Sequence, residues 1–330
     1  MNEKLEKFPK VSIAISTKDR RRDLMRILSS IKELDYPKEK LEVVVVEEGD
    51  EPKEIPGVKY VFIPRENKGF GYSRNLAVKN ASGKIIVFTD DDCIVTKDWL
   101  KELVSQFKEG IEGVTGGVLV KDCNAIGYCE NILGLPNGGL MRIHNSGGEV
   151  VETKELSTCN CAYRKEVFEK LGLFREDTKY GGEDYEFAKR VVRNYKCVFY
   201  PKAIVYHKPR GSLIKIFSLG RRKGICEWFL ERMRIEKRIN HISYNLRASL
   251  LLKLLVIVMV LSILGLNKCV FYFPIFFIWY LIVLLKYRFQ FQYGLGWKTF
   301  LLTPMVKAVI DLGIDVGRLM GGFVLWKNSR

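Results

Sequence analysis

Three adjacent carboxylates, Asp90, Asp91 and Asp92, follow directly on the apolar run Ile85-Ile-Val-Phe-Thr89. Like charges this close are costly unless solvent or a cation neutralises them. The triplet therefore reads either as a solvated acidic turn or as hard oxygen ligands for Mg2+ or Mn2+, the ions that bridge a diphosphate. A second acidic group, Gly181-Gly182-Glu183-Asp184-Tyr185-Glu186, stands before Phe187, Val191 and Val192, which share one helical face. A carboxylate at a helix start gains from the helix dipole and can be a plain cap, while glycines ahead of it also allow close approach by a ligand. Glu47 ends the apolar run Leu41–Val46 and suits a ligand's N–H groups, or else ordinary solvent. Arg74 suits an anionic phosphate, or else a surface ion pair with Glu66 or another acid. His207, one of three histidines, closes the short run Ala203-Ile-Val-Tyr-His.

These residues need a frame. Val11–Ser16, Leu41–Val46, Val58–Ile63 and Lys84–Thr89 are short runs rich in β-branched residues. Between them, Leu24, Ile27, Leu28 and Ile31 repeat at helical spacing, and Tyr72–Asn80 predicts a second helix. A further helix is expected over Lys97–Phe107. Strands alternating with helices predict an α/β domain with a mostly parallel sheet, in which ligands bind beyond the carboxyl ends of the strands. Thr17 and Asp19, Glu47 to Asp50, and Asp90 to Asp92 all fall at such ends.

The C-terminal third has a different character. Ser249–Leu266 carries one charge, Lys253, and Cys269–Leu285 carries none. At ~1.5 Å per residue either would span roughly 26 Å. With only Asn267-Lys268 between them they predict a membrane hairpin, the alternative being two buried helices of a soluble core. Arg247, Lys286 and Arg288 flank the pair and place both ends in the cytoplasm. Between Ala203 and Arg247, eleven Lys/Arg face three Glu, half of the chain's net charge of +16. That basic stretch suits an anionic membrane surface, and Leu213–Ile239 mixes it with Ile216, Phe217, Trp228 and Phe229 as an interfacial helix would. Trp297–Trp326 is apolar, but Asp311 and Asp315 share one of its faces, which disfavours a lipid-facing span. No zinc-finger, helix-turn-helix or aromatic-basic pattern accompanies the charge, so nucleic acid is not an expected partner. The eight cysteines form no CxxC pair, and the N-terminus MNEKLEKFPK has no apolar signal core, so the thiols are expected reduced and packed as small apolar groups.

Taken together, the motifs from Val11 to Phe107 resemble the nucleotide-binding half of family 2 glycosyltransferases, which have the GT-A fold. The order of signals is Ser16-Thr17-Lys18-Asp19-Arg20 after the first strand, Glu47 after the second, Asn67-Lys-Gly69 with Ser73-Arg74-Asn75, and Gly83 leading into Phe88-Thr-Asp-Asp-Asp92. The resemblance continues through Asn160, Gly182-Glu183-Asp184 and His207, covering about residues 10 to 210. The family usually has Asn in place of Asp19 and Asp in place of Glu47; both changes keep a polar acceptor.

The resemblance implies a nucleotide-sugar donor bound by Thr17, Asp19, Glu47, Arg74, Asp90 and Asp91, with Asn160 lining the sugar site. It makes Asp92 the direct ligand of Mg2+ or Mn2+ and gives His207 a metal or diphosphate contact. It places the catalytic base at Asp184, with Glu183 positioning the acceptor. Lys208, Arg210, Arg221 and Arg222 either neutralise the leaving diphosphate or bind lipid headgroups. The expected layout is a GT-A domain over residues 1–210, a basic interfacial segment over 211–247, and a membrane hairpin with an amphipathic tail over 248–330. The expected reaction is inverting transfer to a lipid-linked glycan or lipid hydroxyl at the cell membrane, on its cytoplasmic side. The alternative is a polyprenyl-phosphate sugar synthase, but Cys93-Ile-Val-Thr-Lys-Asp-Trp99 replaces the Gln-His-Pro-Pro-like run normal to those enzymes.

Overall fold

The computed structural model describes residues 8–178, 181–232, 249, 254, 258 and 272–327. They fall into two compact units, one of residues up to 121 together with 134–208, the other of 122–133 together with 209 onward. The segment 122–133, placed in the catalytic domain by its position in the sequence, thus belongs to the second unit.

The first unit is built on β1 (Val11–Lys18), β2 (Leu41–Gly49), β3 (Lys59–Pro64), β4 (Ile85–Thr89), β5 (Cys93–Val95), β6 (Ile111–Leu119), β7 (Val151–Glu152), β8 (Asn160–Arg164) and β9 (Lys196–His207). These strands form one sheet in the order β3-β2-β1-β4-β8-β6-β9-β5, with β7 beside β9. The expectation of a mostly parallel sheet holds for β1 to β4 and again where β6 pairs with β9, but fails at the strands between and beside them. There β8 returns antiparallel between β4 and β6, and β5 and β7 both run antiparallel to β9.

Both faces of the sheet are covered, which is why its central strands read as continuous apolar runs. Val11, Ile13 and Ile15 of β1 and Ile85 and Val87 of β4 pack on one face with Leu24, Ile27 and Ile31 of α1 (Arg21–Lys32) and Trp99, Leu100 and Leu103 of α2 (Trp99–Val104). The intervening Ala14, Ile86 and Phe88 pack on the other face with Ala77 and Val78 of the helix Phe70–Asn80 and with the helices Lys165–Leu171 and Glu183–Asn194. The last of these is seated by rings: Phe187 stacks on Phe168 at 4.7 Å and meets Tyr163 edge-on at 5.2 Å. Its start is fixed by Gly182 at φ 96°, a left-handed conformation that glycine adopts without penalty.

In the second unit the helices Leu213–Arg232 and Trp297–Lys327 lie backbone to backbone. Gly220 and Gly224 on the first face Gly313 and Gly317 on the second. A Cβ at Gly224 would come within 2.2 Å of the Ile314 carbonyl oxygen, and one at Gly317 within 2.0 Å of that of Arg221. Small residues four apart on both partners permit this approach. Buried charges beside the contact are paired, Arg318 with Glu227 at 2.8 Å and Lys307 with Asp311 at 2.8 Å. The helix Ala125–Ile132 joins them through Cys129, which meets Thr299 and Thr303. Arg210 is committed to the buried Glu130 of that helix, and Lys208, in the first unit, to Asp23 at 3.0 Å.

Among the described residues no helix is long and apolar enough to cross a membrane. The expected span 249–266 lies almost wholly outside the described residues. The second expected span, 269–285, is described from residue 272, within the helix Tyr272–Tyr287. Of the expected interfacial segment Leu213–Ile239, the helix is described through Arg232; 233–239 lie outside.

Candidate active site

At the end of β4 the chain turns through Asp90, Asp91 and Asp92 and starts back as β5, whose Cys93 pairs with His207 at the end of β9. Thr89 pairs with Asn160, the first residue of β8. These two pairings bring Asp90, Asp92, Cys159 and His207 to one place. Asp92 Oδ1 lies 3.2 Å from His207 Nε2, while Asp92 Oδ2 accepts from Arg20 at 2.6 Å. Thr17 Oγ1 donates to Asp91 Oδ2 at 2.7 Å, and Arg20 reaches Asp91 Oδ1 at 3.2 Å. Burial, with the like charge of Asp92 behind it, pushes Asp91 up to about 6 against the Thr17 hydrogen bond. Asp90 is also raised, by burial first and against the attraction of Arg74.

Arg74 and Glu183 form a buried ion pair, their side chains 11% and 4% exposed, and Arg74 also lies 3.6 Å from Asp90. Burial by itself would favour a neutral Arg74, but Glu183, Asp90 and Asp184 outweigh it and hold the guanidinium above its ordinary value. For Glu183 burial wins and the carboxyl is raised despite Arg74. Asp184 is held from two sides: its Oδ2 accepts from Ser157 Oγ at 3.2 Å and its Oδ1 from the Tyr185 N–H at 2.8 Å. The surface pair of Arg74 with Glu66 is not formed, since Glu66 faces Lys68.

Glu47 is buried and engaged, accepting from Arg21 at 2.6 Å and from the Tyr60 hydroxyl at 2.8 Å. Asp19 shares Arg65 with Asp50 at the exposed ends of β1 and β2, and its hydrogen bonds from Arg65 hold it below the usual carboxylate range.

Asn160 holds neighbouring strands together. It is 0% exposed; its Oδ1 accepts from Trp99 Nε1 at 2.8 Å, and its Nδ2 donates to the carbonyls of Gly117 and Ala203, each at 2.9 Å. The register of β6 against β9 slips between Gly116 and Gly117, where the partner jumps from Tyr200 to Ile204. The amide of Asn160 ties the two sides of that slip together and leaves no polar group for a ligand. It thereby sets where the last turnings of β9 run, and His207 with them. The amide that the resemblance assigns to the sugar site is thus fully engaged within the protein.

Arg20, Arg21, Tyr60, Arg65, Ser157 and Cys159 were not among the residues expected from the motifs. Arg20 and Arg21 stand beside Thr17 and Asp19 in the chain, so position alone could have flagged them. Tyr60, Ser157 and Cys159 reach the site only through sheet pairing.

The residues present fit a divalent cation. Asp90, Cys159 and His207 each offer a ligand atom, all within 4.8 Å of one another, and His207 Nδ1 is buried with no hydrogen-bond partner. Carboxylate, imidazole and thiol are all established ligand types.

Residues 12–172 match the Glycosyl transferase family 2 model. The chain is 27% identical over 250 residues to Glycosyltransferase AglE of Haloferax volcanii, covering 70% of this chain and 78% of that one. It is 27% identical over 221 residues to the O-antigen chain rhamnosyltransferase RfbN of Salmonella typhimurium, covering 61% and 68%. Its fold is similar to that of the mannosyltransferase PcManGT from Pyrobaculum calidifontis, solved with GDP-Man and Mn2+, at TM-score 0.61, 19% identity, and 94% and 87% coverage. Residues 12–172 are thus similar to a glycosyltransferase family 2 domain, and the fold is GT-A-like. The chain is a glycosyltransferase.

Proposed function

We propose that this enzyme moves a sugar, with inversion, from a nucleoside-diphosphate donor to a hydroxyl of a membrane-associated glycan or lipid. The observation that carries the reading is the convergence of Asp184 with the Asp90–Asp92 turn, bridged by Arg74 and Glu183. The Asp184 carboxylate takes the proton of the acceptor hydroxyl as its oxygen bonds to the anomeric carbon. The bond from that carbon to the donor phosphate breaks, and the nucleoside diphosphate departs with the electron pair. One base and one displacement give inversion. Ser157 fixes the rotamer of Asp184, and Glu183 is oriented for the acceptor by Arg74. Thr17, with Arg20, holds Asp91 at the donor side, and Glu47, kept in place by Arg21 and Tyr60, faces the base.

Asp90, Asp92 and His207 are the residues that would hold Mg2+ or Mn2+; when bound, such an ion supplies positive charge to the diphosphate leaving group. The similar mannosyltransferase, solved with Mn2+, supports a divalent ion here without fixing which.

The membrane part rests on the second unit. Phe276, Phe277, Ile278, Leu281, Ile282 and Leu285 are exposed on one helix, and the basic stretch Ala203–Arg247 lies earlier in the chain. An exposed apolar surface of this kind suits contact with a bilayer, which would place the enzyme at the cell membrane with its catalytic domain in the cytoplasm.

The test is a donor panel of UDP, GDP and dTDP sugars with and without Mn2+, followed by transfer to lipid-linked glycans and to a polyprenyl phosphate. Metal-dependent turnover with a lipid-linked hydroxyl acceptor is expected. Turnover with the polyprenyl phosphate alone would replace that acceptor assignment, and metal-independent turnover would remove the cation from the reading.

A further inference from the structure

Cys159 stands in the loop just before β8, 3% exposed, with its Sγ 3.9 Å from that of Cys93. Sheet pairing puts Thr89 opposite Asn160 and His207 opposite Cys93, so Asp90, His207 and Cys159 arrive from three separate strand ends. One ligand atom of each lies within 4.8 Å of the other two. A second observation points the same way: His207, 8% exposed, keeps its Nδ1 buried without a partner, an atom that otherwise bears the full cost of desolvation.

We propose that Cys159 is a thiolate ligand of this enzyme's cation, and that the Asp90–Cys159–His207 set takes a thiophilic divalent ion such as zinc in preference to magnesium. The inference rests on the metal-dependent reading of the same site and gives it a selectivity. The three donors are one oxygen, one sulfur and one nitrogen. Around a tetrahedral ion with metal–ligand distances of about 2.0–2.3 Å, they need to close in by roughly 1 Å from their outer separation, within the reach of side-chain rotation. Magnesium demands near-octahedral oxygen ligands and gains little from sulfur, whereas zinc accepts all three donor types. Binding converts the Cys159 thiol to a thiolate and releases its proton to solvent, so each ion bound by this set displaces one proton from sulfur. Cys161, two residues on, packs on the opposite face of the sheet and takes no part.

The experiment uses the full chain, kept reduced with a phosphine so that Cys93 and Cys159 remain thiols. Zinc is added at one equivalent, and X-ray absorption at the zinc edge reads its neighbours. A single sulfur at about 2.3 Å beside nitrogen and oxygen is expected. In cobalt titrations a thiolate-to-metal charge-transfer band is expected in the wild type and in Cys161→Ser, and is expected to vanish in Cys159→Ser. The absorption measurement needs no variant, so a Cys159→Ser protein that fails to fold leaves the test intact. A zinc shell of nitrogen and oxygen alone, or an unchanged cobalt band in folded Cys159→Ser, overturns the proposal. Manganese-dependent binding of a nucleoside diphosphate together with a sulfur-free zinc shell would sink this inference while leaving the proposed function standing. A zinc–sulfur shell with metal-independent turnover would do the opposite.

Discussion

Arg74 and Glu183, 109 residues apart in the chain, are bound to each other in the interior of the site. Arg74 belongs to the donor half and sits 3.6 Å from Asp90; Glu183 opens the helix that carries Asp184. The pair therefore ties the residues proposed for the donor to those proposed for the acceptor. Breaking one side of a buried pair costs about 3–5 kcal/mol, because an uncompensated charge stays behind.

Arg74→Met should expose that cost in a pH-dependent way. Burial already raises the Glu183 carboxyl above its ordinary value, and losing Arg74 removes the main opposing influence. A carboxyl raised in the folded state contributes stability below its unfolded pKa and loses it as pH rises through the folded value. The melting temperature of Arg74→Met should thus fall more steeply than wild type as pH rises from about 4.5 upward. Arg74→Met/Glu183→Gln, in which residue 183 can no longer ionise, should make the profile shallower, the remaining slope coming from Asp90, which has also lost Arg74. Parallel melting curves for the single and double variants would show that the pair carries no such charge.

Asp92→Ala removes a carboxylate that faces both His207 and Arg20. Arg20 keeps Asp91 at 3.2 Å, so the fold should survive. If Asp92 holds the cation, calorimetry with Mn2+ and a nucleoside diphosphate should lose its metal-dependent component, and transfer should stop. Metal-dependent affinity equal to wild type would remove Asp92 from the ligand set.

Asn160→Ala leaves the Trp99 N–H and the carbonyls of Gly117 and Ala203 unpaired in a site closed to water. Each buried unsatisfied group costs about 1–3 kcal/mol, so a loss of at least about 2 kcal/mol is expected in urea unfolding. Because the clamp sets the path of β9 toward His207, metal-dependent nucleotide binding should weaken as well, while Asn160 itself touches no ligand. Lost affinity with unchanged stability would restore Asn160 to a direct ligand role.

How far these features could be read from the chain follows from their range. The strands β1 and β4 were legible because burial on both faces leaves an unbroken apolar run. Gly182 before Glu183 announced a helix start because glycine is needed there, and α1 was plain from Leu24, Ile27, Leu28 and Ile31. The clamp role of Asn160 is not legible because its partners Trp99, Gly117 and Ala203 lie on three other segments, and nothing local distinguishes a buried clamp from a ligand. The antiparallel insertion of β8 was hidden for the same reason: strand order is a long-range choice that periodicity does not encode. The inclusion of 122–133 in the second unit rests on Cys129 meeting Thr299 and Thr303, 170 or more residues away.

That inclusion changes how the membrane proposal should be tested. Cutting the chain before Arg247 would strip Thr299 and Thr303 from Cys129 and open the face of the helix that holds it, so the whole chain is needed. Ile282→Lys/Leu285→Lys places two charges on an exposed apolar face. If that face enters a bilayer, losing two such side chains, each contributing about 1.5–3 kcal/mol, should weaken flotation with anionic liposomes by about 100-fold or more. Donor hydrolysis should be unchanged, because none of the proposed site residues lies in that helix. Undiminished flotation would move the membrane contact elsewhere.

Asp184→Asn separates a base from a cap. The variant keeps the shape: its Oδ1 can accept from the Tyr185 N–H and its Nδ2 can donate to Ser157 Oγ, whose hydroxyl turns to accept, but it cannot take a proton at neutral pH. A general base contributes about 10²–10⁴-fold, roughly 3–5 kcal/mol of barrier, so turnover with acceptor should drop by that factor. Donor affinity should barely move, because Thr17, Glu47 and the Asp90–Asp92 turn are intact. A helix cap predicts another pattern, since Asn caps as well as Asp and neither stability nor turnover would suffer. One protein therefore decides the matter through three measurements: turnover, donor affinity and melting temperature. Turnover near wild type would strip Asp184 of the catalytic role and leave Glu183, already raised toward its protonated form and bound to Arg74, as a poor substitute.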